Sequence, residues 1–328
     1  MRTTIDPRIE PSRTRAVLAI AWGVFVVGGL LLMEVLSDVP YGLVVPALGI
    51  AGLLICLSIP RPRAALRWTA WTADGRDLAA IGAMYAVVVG LLSLAFRVFT
   101  PERTLWMFLS FAGANVIGVA GPVIYTVWIR QRSLATLGLT LAGWRRVVIP
   151  ALVFAAVQFG ITLWGFDLPK PLDWVPLLVM TLTVGVFESV FFRGFVQGRL
   201  EASFGTAPAV FGAAVLYSLY HVGYGMGTKE MTFLLGLGIV YAIAYRIVDN
   251  VLVLWPLLTP LGSFFAQLES GDLAGKLPWA AILGFGDELA LMATIIWFAL
   301  RHERRRHEPA VLAPTTLGRQ TRDLEHVG

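Results

Sequence analysis

Runs of about 20 apolar residues recur from one end of the chain to the other, each long enough to cross roughly 30 Å of hydrocarbon as a helix. AVLAIAWGVFVVGGLLLMEVL near the start and WVPLLVMTLTVGVFESVFF past the middle are two of them. The bulk numbers agree: 57% of residues are hydrophobic, 14% are charged and the mean hydropathy is +0.74, outside the range of soluble domains. The fold class these features predict is all-α, a polytopic integral membrane bundle of about ten transmembrane helices. The first run is too long for a signal-peptide core and has no small-residue cleavage site, so it is expected to stay as the first span.

Ten spans fit the pattern, at 16–36, 41–59, 78–97, 105–128, 147–166, 174–196, 207–225, 231–248, 250–268 and 278–300. Turn-forming stretches such as SDVP, PER, DLPKPLD and ESGDLAGK separate them. With the N-terminus placed in the cytoplasm, 21 Lys and Arg residues fall inside and 5 outside. That asymmetry predicts a multi-pass protein of the cell membrane with both termini cytoplasmic. Three regions are expected: a four-span N-terminal part at 1–146, a membrane core at 147–300 and a basic cytoplasmic tail at 301–328.

RSLATLGLTLAGWRR, residues 132–146, is too short to span and has basic residues at both ends, so an interfacial helix is expected there. The tail opens with RHERRRH and then loses apolar periodicity. It reads as a disordered strip attracted to anionic lipid rather than to nucleic acid. The single cysteine, Cys56, lies within an apolar run, which excludes an internal disulfide and favours a buried structural role.

Charges inside a membrane usually face a protein interior or a wet cavity. Glu188 stands 14 residues into the span that begins at Trp174, and His221 stands 14 residues into the antiparallel span that begins at Ala207. With those boundaries the two miss each other by about 12 Å along the axis, and they meet if both helices begin later. A carboxylate beside an imidazole in a low-dielectric cavity is a general-base arrangement that can deprotonate a trapped water. The same pair also reads as a polar lock between two helices. Spacing leaves both readings open.

ESVFFRG, Glu188 to Gly194, resembles the Glu-Glu-x-x-x-Arg motif of the CAAX protease and bacteriocin-processing (CPBP) family of membrane enzymes. YSLYH, Tyr217 to His221, is similar to that family's Phe-x-x-x-His motif with tyrosine in place of phenylalanine. The likeness covers residues 174–265 and implies a metal-independent intramembrane endopeptidase acting on a membrane-anchored peptide or protein. It makes Glu188 the general base, His221 its partner and Arg193 a group that steadies the site. Two departures stand out. Ser189 replaces the second Glu, so the residue four before Arg193 cannot neutralise it. The third motif, His-x-x-x-Asn or His-x-x-x-Asp, has no histidine here; NVLVLWPLLTPLGSFF offers only Thr259 and Ser263 as possible oxyanion donors. An alternative is therefore a cleavage-impaired relative that binds a membrane partner or confers bacteriocin immunity.

Asp287 and Glu288 lie inside the last span, where they read as an ion or proton relay of a transporter or as acids paired with an arginine such as Arg246. Asp249 and Asn250 read as caps at a turn. Four histidines and one cysteine without an HExxH pattern argue against zinc, and no cofactor is expected.

Overall fold

The computed structural model describes residues 73–99, 104–141, 174–251 and 279–307, together with positions 144, 148 and 152. Helix α1 is Gly75–Ser93 and continues in wider turns over Leu94–Val98. Its first turn is capped by Asp74, whose side chain accepts from the backbone N–H of Arg76 at 3.0 Å. Helix α2 is Thr104–Ile124 with Pro122 inside it, and it widens over Tyr125–Ile129 just past that proline. Helix α3 is Trp174–Glu188, runs on through wide turns over Ser189–Gln197, and closes as Gly198–Phe204. Helix α4 is Thr206–Tyr220 with a tight last turn over His221–Tyr224, α5 is Thr228–Val248 and α6 is Trp279–His307.

No β-strand occurs among the described residues. Four helical stretches there are long and apolar enough to cross a membrane: Gly75–Val98, Leu105–Ile129, Trp174–Phe204 and Leu283–Arg306. The expected spans at 16–36 and 41–59, most of those at 147–166 and 250–268, and the residues Cys56, Thr259 and Ser263 lie outside the described residues.

Of the four crossing stretches, α3 is the most enclosed by the others. Phe187, Phe191, Phe192 and Phe195 are all fully buried along it, with Phe191 and Phe192 edge to face at 5.0 Å between ring centroids. Lipid tails are as apolar as these rings, so close packing rather than escape from water holds such a core together. Leu105, Trp106, Leu283, Trp297 and Phe298 stay exposed on the outer faces, as a lipid-facing surface requires.

Residues 132–141 do not form the expected interfacial helix. They make one short 3₁₀ turn, Leu134–Leu137, and bury Leu134, Leu137 and Leu139 beneath α3. This strap lies so close to α3 that a methyl group at Gly194 would stand 2.4 Å from the Leu137 carbonyl oxygen. Its other contacts tie it to both neighbours: Asn250 Nδ2 donates to the Thr140 carbonyl at 3.0 Å, and the Leu134 N–H donates to Glu303 Oε2 at 3.2 Å. The RHERRRH segment also differs from expectation. It continues α6 as helix to His307 instead of opening a disordered tail at residue 301. Asp249 caps α5 in a left-handed conformation, φ +53°, as its place at a turn suggested.

Candidate active site

The site is assembled by the hairpin between α3 and α4. The sequence boundaries put the turn after residue 196, but α3 continues to Phe204 and the chain reverses at Gly205. Gly205 has φ +90°, which a side chain would strain. Measured from that pivot, Glu188 lies 17 residues before and His221 lies 16 residues after. At about 1.5 Å per residue both stand roughly 25 Å from the turn. The 12 Å mismatch disappears because the hairpin turns later than the hydropathy pattern indicated.

Tyr220 lies between the two groups. Its hydroxyl donates to Glu188 Oε1, and its ring packs against His221 with centroids 4.1 Å apart. Tyr217 donates to Glu188 Oε2 at 3.4 Å, a long bond. His221 Nδ1 lies 2.9 Å from the Tyr217 carbonyl oxygen. A carbonyl only accepts, so Nδ1 carries the proton and, in the neutral ring, Nε2 is left as the acceptor. His221, Tyr217 and Tyr220 are buried, while Glu188 is half-buried.

Arg193 comes into the same cluster from the next turn of α3. It is 4% exposed and stands over the Tyr217 ring, 4.8 Å from its centroid, with the Tyr241 ring 5.8 Å away on α5. Nη1 has no hydrogen-bond partner among the described residues. Ser189, buried in the place of the acidic residue of the motif, gives it no counter-charge. Thr259 and Ser263 are not among the described residues, so the expected ninth-helix donors have no placement here.

A second carboxyl is buried nearby in the bundle. Glu288 of α6 is 5% exposed and accepts from Asn115 Nδ2 of α2 at 3.0 Å. Its expected partner, Arg246, instead pairs with Glu201 at 2.7 Å. Asp287 is exposed. One turn before Glu288, the Phe285 carbonyl accepts from Thr183 at 3.1 Å, which joins α6 to α3. Among the described residues no three His, Cys, Asp or Glu side chains converge as a metal site would require.

Motif reading took up Tyr217 as a stand-in for phenylalanine and passed over Tyr220 and Tyr224. Tyr217, Tyr220, His221 and Tyr224 follow a spacing of three and four, which sets them on one face of α4. That pattern was visible in YSLYHVGY. The partner of Glu288 was not, because Asn115 is 173 residues away.

Comparison with known proteins adds one match. No curated protein and no solved structure is similar enough to count. A family model does match, over α3, α4 and α5 and a few residues beyond. Over residues 170–257 the chain is similar to the type II CAAX prenyl endopeptidase Rce1-like family, in agreement with the resemblance carried by ESVFFRG and YSLYH.

Proposed function

We propose that the protein is an intramembrane endopeptidase of the CAAX-protease type, hydrolysing a membrane-associated peptide or protein by water activated between Glu188 and His221. The observation that carries this reading is the convergence of Glu188, His221 and Arg193 on one tyrosine-lined cluster within the segment that matches the family. Tyr220 and Tyr217 fix the Glu188 carboxylate from one side and leave it lone pairs for a water. The Tyr217 carbonyl holds the His221 ring so that Nε2 accepts a second hydrogen bond from that water.

In the reaction, Glu188 takes a proton from the water as its oxygen bonds to the scissile carbonyl carbon. The tetrahedral intermediate then collapses, the C–N bond breaks, and the proton passes from Glu188 to the leaving amine. Arg193, whose Nη1 has no hydrogen-bond partner among the described residues, supplies positive charge beside the developing oxyanion. The proposed setting is a multi-pass cell-membrane protein with both termini cytoplasmic and a core at 147–300. Thr259 and Ser263 are proposed as further donors.

A non-cleaving binding or immunity protein is the second reading, favoured by Ser189 and by the missing third-motif histidine. The deciding experiment reconstitutes the full chain in vesicles with a library of membrane-anchored peptides. Cleavage that disappears in folded Glu188→Gln and His221→Ala variants supports the protease. Cleavage that survives in both rejects it, and peptide capture without cleavage selects the second reading.

A further inference from the structure

Among the described residues, three guanidinium groups share two paired carboxylates, Asp74 and Asp77, at the end of the bundle where α1 begins and α2 and α3 end. Asp74 pairs with Arg130. Asp77, 2% exposed, accepts on Oδ1 from Tyr125 at 2.7 Å and on Oδ2 from Arg132 Nη1 at 3.0 Å, and forms an ion pair with Arg130 Nε at 3.3 Å. Both acids are thereby taken up by Arg130, Arg132 and Tyr125.

Arg199, in the last segment of α3, has no such carboxylate partner among the described residues. Its Nη2 donates to the hydroxyl of Thr126 at 2.9 Å, and its guanidinium carbon lies 5.9 Å from the Phe195 ring centroid. It is only 5% exposed, and its Nε has no hydrogen-bond partner among the described residues. Arg132 and Arg130 act on it as like charges, and Asp77, whose oxygens are bonded to other groups, offsets them only through space. A buried guanidinium with an open N–H and a neutral acceptor is strongly disfavoured until an anion completes it.

The surroundings indicate which anion. Arg132 keeps 34% of its side chain exposed at the rim. The RHERRRH turns of α6 lie alongside, held by the Trp128–His302 stack at 5.4 Å and by the Leu134–Glu303 bond. A positive field at the end of a membrane bundle draws acidic lipid, and a planar guanidinium fork matches the oxygens of a phosphate ester. We infer that Arg199, with Arg132 at its rim, is a binding site for a phosphate-ester anion supplied by the headgroup of an acidic lipid. The site is separate from Glu188, from which Arg199 is 11 residues farther along α3, and it holds whether or not the protein cleaves peptides.

The test places the full chain in phosphatidylcholine nanodiscs, in the same nanodiscs doped with phosphatidylglycerol, and in phosphatidylcholine with inorganic phosphate in the buffer. Thermal midpoint and retained lipid, by native mass spectrometry, are read in each arm. Phosphatidylglycerol is expected to raise the midpoint of the wild type and to be retained with it. Arg199→Gln should lose both effects while staying folded in phosphatidylcholine, whereas Arg304→Gln with Arg305→Gln should keep them. If Arg199→Gln does not fold, Arg132→Gln is read instead and weakens phosphatidylglycerol binding roughly fivefold. A gain from inorganic phosphate alone, lost in Arg199→Gln, keeps the phosphate chemistry and overturns the lipid as its source. A gain that survives Arg199→Gln, follows the tail arginines or appears in no arm overturns the site.

Discussion

Tyr220 donates its hydroxyl to the Glu188 carboxylate while its ring lies against His221, so one side chain touches both members of the proposed catalytic pair. Hydrogen bonds to a charged group are worth about 1.5–3 kcal/mol. Tyr220→Phe should therefore slow peptide turnover by roughly 10- to 100-fold. Tyr217→Phe, which restores the residue type of the family motif and removes only a 3.4 Å contact, should slow it much less. Steady-state turnover in vesicles separates the two, and a larger loss at Tyr217 contradicts the geometry.

The Asn115–Glu288 bond joins α2 to α6 through two buried groups, each of which has one oxygen without a hydrogen-bond partner among the described residues. Removing one partner leaves the other unsatisfied at about 1–3 kcal/mol, whereas replacing both with apolar residues is close to neutral. Asn115→Leu and Glu288→Leu alone should each lower the thermal midpoint, and the double variant should recover most of that loss. Additive losses would show that the pair does not interact.

Gly194 is held against the Leu137 carbonyl of the strap. Gly194→Ala must push the strap away from α3, at about 1–3 kcal/mol of stability by analogy with overpacked cores. Gly90→Ala, with open space around the position, serves as the control. The check is the difference in thermal midpoint between the two variants; equal midpoints reject the close docking of the strap.

Asp74 gives a pH dependence outside the membrane-spanning helices. Desolvation pushes its carboxyl up, but the Arg76 backbone N–H and the Arg130 guanidinium outweigh that and hold it below the usual carboxylate range. A depressed folded-state value stabilises the fold above the unfolded-state value, near pH 4, and that stability is lost as pH falls through the folded-state value. Asp74→Asn, which can still cap α1, should lower the thermal midpoint at neutral pH. The difference should close under acid. A gap that widens on acidification reverses the sign and rejects the Arg130 pairing as its source.

Legibility differed from one residue to the next. Glu188 and Arg193 were readable because charges at the end of a 19-residue apolar run have few explanations other than a shared interior, and the spacing of ESVFFRG matched a known motif. Their heights relative to His221 were not readable. Hydropathy ended the span near residue 196, whereas the helix runs on through Gln197 and Arg199, both buried by neighbouring helices. The strap was misread for a related reason: leucines between basic residues suggest a lipid interface, yet Leu134, Leu137 and Leu139 are buried against protein.

The sequence by itself determined the membrane-bound, helical character of the chain, the order of its motif residues and the family they resemble, since apolar run length and local spacing are properties of contiguous residues. Only the tertiary structure decided which groups meet: Tyr220 with Glu188, Asn115 with Glu288, Arg246 with Glu201, and Arg199 with the Thr126 hydroxyl. Such pairings depend on where helices turn and how closely they pack, and in a medium with no hydrophobic pressure between helices that follows from shape and hydrogen bonding across the whole bundle.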